Sequence, residues 1–272
     1  TEFMVRALLA AAILGFSAPL IGTFVVQRNL SLVGDGLGHV AAAGVGLALW
    51  LDFAPQPIAI IATVIAAIAI EWIFHASKSA DTALAIIFYS GIAASITFAG
   101  RSSQQSQLQQ YLFGSLLSVT WQDIALLGII CIFACSTIVT FSKLLLSISI
   151  DEASAKISGV NTHILHVALM CSVALIVSIS MSITGLLLIS AVMVVPVMSA
   201  RMIGNTFYQT WFIACFIGTL GSITGLAIAR IGNLAPGGTI VLTHIAIFVC
   251  VAALKSISRR NMKKLSKSHI HA

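Results

Sequence analysis

The sequence predicts an all-α, polytopic membrane protein with about nine transmembrane helices. Three observations carry this. Of 272 residues, 59% are hydrophobic and only 8% are charged, against about 25% charged in an ordinary soluble domain. Mean hydropathy is +1.07. The apolar residues also gather in long runs, and crossing a hydrocarbon layer of about 30 Å takes roughly twenty residues of helix. This excludes a soluble globular enzyme, a disordered chain and a nucleic-acid-binding domain, although the pI is ≈ 9.3.

The spans fall at roughly 5–26, 30–51, 57–75, 82–100, 121–142, 163–181, 183–200, 208–229 and 239–255. Eight or ten would also fit the apolar runs. The first begins near Val5 and leads into further spans, so it reads as a span and not as a cleavable leader. After the fourth span, residues 102–110 (SSQQSQLQQ) are polar and uncharged, as expected of an external loop. Tyr111–Val119 is apolar but too short to cross, as expected of a re-entrant or interfacial piece. Lys143–Asn161 is the longest inner connection. In it Asp151 and Glu152 come first, Lys156 sits in the last turn and Gly159 follows. These are the marks of a short, self-contained helix. Such a helix suits docking to another protein, and equally a plain connector.

Lys and Arg set the orientation. The segment after the last span carries Lys255, Arg259, Arg260, Lys263, Lys264 and Lys267 and is expected in the cytoplasm. Nine spans then place the N-terminus outside, and Arg28, Lys78, Lys143, Lys156 and Arg201 fall on the inner side. Only Arg6, Arg101 and Arg230 remain outside. The expected organisation is one transmembrane domain over residues 1–255 and a basic cytoplasmic tail over 256–272, whose charge serves topology and contact with anionic lipid.

Ionisable side chains inside a membrane are costly and mark function. Asp52, Glu71, Asp81 and Asp123 lie near span ends, within reach of the interface. Asp35 does not, and His39 follows it by four residues, so on a helix they share a face. A carboxylate beside an imidazole can coordinate Zn²⁺ or Mn²⁺; a hydrogen-bonded packing pair explains the spacing nearly as well. The surrounding Gly34, Gly36, Gly38, Gly44 and Gly46 would admit a close neighbouring backbone, or a local break in the helix. Two ligands make half a site. His244 or Glu71 could add a third, though a buried histidine is more often a packing residue. His163 and His166 are expected at the interface, and His269 and His271 could trap metal weakly. The five cysteines sit in apolar runs without a CxxC pair; Cys131 and Cys135, one turn apart, could pair on a metal but read more simply as packing residues.

Enzyme chemistries find no support. The sequence has no GxxxxGK[ST] phosphate loop and no HExxH. No second mid-span Asp partners Asp35, and Leu32 breaks the GxGD pattern of an intramembrane aspartyl protease.

The blocks along the chain nevertheless form an ordered set. Gln27–His39 (QRNLSLVGDGLGH) resembles the R-x-L-S-L-x-G-D-x-x-S-H block of the integral-membrane permeases of ABC-type zinc/manganese/chelated-iron importers. Gly38 stands where that family has Ser, and Ala43 where a Pro commonly precedes Gly44. Asp81–Ile86 resembles the family's D-T-A-I-G-I, Tyr111–Ser115 its L-F-G segment, and Asp151–Val160 its D-x-x-x-A-x-x-x-G-V. Thr184–Arg201 is similar to V-G-x-L-L-V…P-x-x-x-A-R, and Pro236–Thr239 to the P-x-G-x turn.

The resemblance implies a type II ABC-importer-like permease that is not itself an enzyme. It implies a homodimer with a translocation path at its interface, fed by an extracytoplasmic metal-binding protein and coupled to a separate ATPase chain. Asp35 and His39 would be ligands on the metal path, with His244 and Glu71 the weaker candidates. A coupling helix at about 149–160 would grip the ATPase through Asp151, Glu152, Ala155, Lys156 and Gly159. No resident cofactor is expected; the cargo would be zinc or manganese, with iron also open. The competing expectation is a stand-alone secondary transporter, driven by an ion gradient through the same Asp–His pair.

Overall fold

The computed structural model describes residues 2–77, 79–99, 111, 114, 116 and 119–268. Its helices are α1 (Glu2–Gln27), α2 (Val33–Trp50), α3 (Pro55–Ser77), α4 (Ala80–Ala99), α5 (Trp121–Ile150), α6 (Glu152–Ile157), α7 (Thr162–Thr184), α8 (Leu186–Ile203), α9 (Phe207–Gly232) and α10 (Pro236–Ser268). No strand occurs among the described residues. Eight helices, all but α6 and α8, are long and apolar enough to cross a membrane. The segments 102–110, most of Tyr111–Val119, and His269 and His271 lie outside the described residues.

The expected spans map onto these eight helices and α8, with shifts that have local causes. The run at 183–200 becomes α8 because Gly185, at φ 81°, separates it from α7. α5 continues to Ile150, so Lys143 lies within a helix and the connection to α7 shrinks to residues 151–161. α10 passes Lys255 without a break and runs on to Ser268. Caps mark other ends. Thr120 Oγ1 accepts from the Asp123 amide at 3.2 Å while Asp123 Oδ2 accepts from the Thr120 amide at 2.9 Å, a reciprocal capping box that starts α5. Thr206 starts α9, and Asn233, in the left-handed region, ends it.

α1, α2 and α7 are largely buried and form the centre, with α3, α4, α5 and α10 around them. The outer helices turn Ile61, Ile65, Ile129, Ile132, Phe133 and Leu242 away from the protein. In lipid, helices gain little by hiding such residues from the solvent and associate instead through close packing of small ones. The α1–α9 crossing does this with Gly15 and Gly218. A Cβ on Gly15 would lie 2.6 Å from the Gly218 carbonyl oxygen, and one on Gly218 would lie 2.2 Å from that of Gly15. Pro19, four residues after Gly15, has no N–H to give to the Gly15 carbonyl, so that oxygen is free to face α9. Further along the crossing, Trp211 Nε1 donates to the Leu20 carbonyl at 2.8 Å and fixes the register of the pair.

Candidate functional site

The joint between α1 and α2 is tight. Asn29 takes φ 59°, the Leu30 amide donates to the Val25 carbonyl at 3.0 Å, and the Val33 amide donates to that of Leu30 at 2.9 Å. This sets Asp35 in the first turn of α2, where the helix N-terminus favours a carboxylate. His39 follows one turn later on the same face, with Cβ atoms about 5–6 Å apart at this spacing. Both side chains are half-buried, and the His39 ring meets Phe88 of α4 edge-on at 5.0 Å. Among the described residues no third His, Cys, Asp or Glu completes a ligand group with them. α2 is continuous through its glycines. Another face of α2 is packed on α8: a Cβ on Gly38 would lie 2.2 Å from Leu186 Cδ1, and one on Gly34 2.7 Å from Met193 Cε.

The two weaker candidates are placed elsewhere. His244 is buried between α9 and α10, with Nδ1 2.9 Å from the Ile240 carbonyl and Nε2 3.3 Å from that of Gly218. Glu71 belongs to a different cluster. Near the end of α3, as expected, it is 2% exposed within the protein, and its Oε1 lies 3.0 Å from His166 Nδ1, 3.4 Å from His75 Nε2 and 4.0 Å from His163 Nδ1. His75 Nε2 and His163 Nδ1 are 3.2 Å apart. His166, expected at the interface with His163, is 0% exposed: one turn further along α7 it falls on the buried face shared by Thr162, Leu165 and Leu169. His75 went unread as a candidate. Its signal was the Glu71–His75 spacing of four at the end of an apolar run, the same pattern that singled out Asp35 and His39.

α6 is built as a self-contained turn and a half. Asp151 Oδ1 accepts from the Ala153 and Ser154 amides at 3.0 and 3.1 Å, and the Ser154 hydroxyl donates to Oδ2. These bonds, that of the Ser154 hydroxyl foremost, hold the Asp151 carboxyl below its ordinary value. Lys156 Nζ meets Glu152 Oε1 at 2.8 Å. Burial pushes the Glu152 carboxyl up, but the Lys156 hydrogen bond and the charges of His166, Lys156 and Arg28 outweigh it and leave the group lowered. The Arg28 guanidinium is pulled down by burial, opposed by Glu71 and Glu152. The end of α1, the end of α3, the start of α7 and α6 thus share one electrostatic neighbourhood. Ala155 is buried and seats α6 on the rest of the chain. Gly159, at φ 82°, reverses the chain after it. Ile157, which motif spacing did not single out, is 88% exposed at the tip.

The ABC 3 transport family matches residues 1–255 of the chain. The membrane protein ZnuB of a high-affinity zinc uptake system from Haemophilus influenzae is 31% identical over 250 residues, covering 91% of this chain and 96% of that protein. The permease protein ScaB of a manganese import system from Streptococcus parasanguinis is 31% identical over 274 residues, covering 97% and 95%. Among solved structures, PsaBC from Streptococcus pneumoniae in complex with Fab is similar with a TM-score of 0.79 and 30% identity, covering 92% of this chain and 91% of that one.

Proposed function

This chain belongs to the ABC 3 transport family, and on that premise we propose that it is the transmembrane permease subunit of an ATP-binding-cassette importer for zinc or manganese. What carries the reading is the Asp35–His39 face of α2, half-buried beside Phe88, in a chain aligned over nearly its whole length with a zinc and a manganese permease. A carboxylate and an imidazole match the ligand preferences of both ions.

Each copy offers two ligands, so a homodimer that apposes the two α2 faces would present four. Two oxygens and two nitrogens, without thiolate, replace enough hydration to admit a divalent ion yet hold it loosely enough for release. ATP is hydrolysed on a separate chain, which fits the missing phosphate loop. α6 is the part that chain grips. Its cap and internal ion pair keep it helical without neighbours, Ala155 transmits its movement to α5 and α7, and Ile157 presents an apolar knob to the ATPase. ATP binding would draw the two α6 helices together and switch the path from outward to inward access.

In this reading α6, the end of α1 and the basic end of α10 face the cytoplasm, the N-terminus lies outside, and an extracytoplasmic binding protein delivers the ion to that outer side. The positive-inside distribution supports this orientation.

Reconstitution tests the reading. Vesicles holding this chain and its ATPase should take up zinc or manganese only with ATP present. Metal uptake by vesicles holding this chain alone would replace the reading with that of a gradient-driven transporter.

A further inference from the structure

We propose that Glu71, His75 and His163 form a second divalent-metal site, beside α6 and separate from the Asp35–His39 pair. The inference rests on the reading of the chain as a metal permease only for the source of the ion; the geometry stands by itself. Around a tetrahedral Zn²⁺ with bonds of about 2.0–2.1 Å, neighbouring ligand atoms lie about 3.3 Å apart. The three edges between Glu71 Oε1, His75 Nε2 and His163 Nδ1 are 3.4, 3.2 and 4.0 Å.

Hydrogen bonding accounts for only part of this convergence: His75 Nε2 and His163 Nδ1 are within hydrogen-bond distance at 3.2 Å, but the third edge is not bonded. A charge-assisted N–H···O bond spans about 2.7–2.9 Å, and the His163–Glu71 separation of 4.0 Å is beyond any such bond. It is a length that closes slightly on an ion. The His166–Glu71 contact, at 3.0 Å, is a true hydrogen bond, and it has the form of the outer partner that orients a ligating carboxylate. An oxygen that accepts from His166 keeps a second lone pair for a metal.

Access is also in place. Glu71 and His166 are buried, while His75 and His163 are exposed, so the fourth tetrahedral position opens outward and an ion could exchange. Zinc is favoured over manganese, because two imidazoles and one carboxylate with one open position suit a tetrahedral borderline ion. Such an ion would join the end of α3 to the first turn of α7 at His163, six residues after α6 ends. Zinc on that side would therefore stiffen the mount of α6.

The test is zinc binding to the purified full chain in lipid nanodiscs, read against a chromophoric chelator. His269 and His271 are replaced by Ala throughout to remove the terminal histidines. With Asp35→Asn and His39→Ala also present, one zinc per chain should remain, and adding His75→Ala or His163→Ala should abolish it while elution stays monodisperse. The exposed positions of both histidines make misfolding a poor explanation for a loss. Zinc retained in the His75→Ala/His163→Ala chain, or no zinc bound before those changes, overturns the site. Failure of the permease reading is distinguishable: it would appear as no ATP-dependent zinc or manganese uptake by vesicles holding the unaltered chain and its ATPase, whatever the zinc count.

Discussion

His166 Nδ1 and Glu71 Oε1 meet at 3.0 Å inside the protein, joining α7 to α3 across 95 positions of sequence. Removing Glu71 leaves the buried His166 ring without this hydrogen bond, and removing His166 takes from Glu71 its shortest contact. Glu71→Ala should therefore destabilise the purified protein by about 1–3 kcal/mol, seen as a lower Tm in detergent. His166→Ala should cost a similar amount, and the double variant less than the sum. Strict additivity would show that the contact contributes nothing.

Asp35→Asn and His39→Ala should each abolish metal uptake in cells that depend on this importer, while the chain still inserts and still copurifies with its ATPase. Radioactive zinc and manganese uptake checks this. Both side chains are half-buried on one face of an intact helix, so no folding defect is expected. Wild-type uptake in both variants would remove the pair from the transport path.

Ile157→Asp should detach the ATPase. The side chain is 88% exposed and makes up the tip of α6, so the substitution costs this chain nothing in packing but places a charge in the contact. Copurification should fall several-fold, with the permease unchanged in amount. Ala155→Asp should act differently, by unseating α6 from α5 and α7, and should lower the stability of the permease itself.

α6 should be tolerant of acid. The Asp151 carboxyl is held below its ordinary value by the Ser154 hydroxyl and by the Ser154 and Ala153 amides. A depressed folded-state value means that the cap contributes fully above the ordinary carboxylate range and is lost only as pH falls through the lowered value. Hydrogen exchange at the Ala153 and Ser154 amides should show protection persisting through the range where a free Asp titrates. Asp151→Asn should remove the pH dependence. Protection lost at the ordinary midpoint would contradict the bonding described.

The helices were legible because lipid imposes one rule, a long apolar run, and the chain obeys it nearly everywhere. α6 was legible for a different reason: its acids, its lysine and Gly159 are local signals, and the cap and the ion pair at 2.8 Å realise them. The break at Gly185 was hidden inside a continuous apolar run, where nothing but its φ of 81° separates two helices. The Glu71 cluster was hidden by distance. Glu71 and His75 sit on one helix and His163 and His166 on another, and each pair alone looks like residues waiting at an interface. Burial of His166 depends on which side of α7 faces α3, and a span recognised by hydropathy alone has no sides. Ile157 was invisible because a lone isoleucine in an apolar protein carries no information until its exposure is known.

The crossing of Gly15 and Gly218 bears on how this protein can change over generations. In most packed pairs, a residue that grows can be accommodated by a neighbour that shrinks. Here both residues are already the smallest there is, and each faces the other's backbone oxygen at a distance that excludes even a methyl group. Neither position can compensate for the other, so Gly15→Ala and Gly218→Ala should fail separately and fail together. The only available suppressors would lie in the shape of the helices, with Pro19 the first place to look.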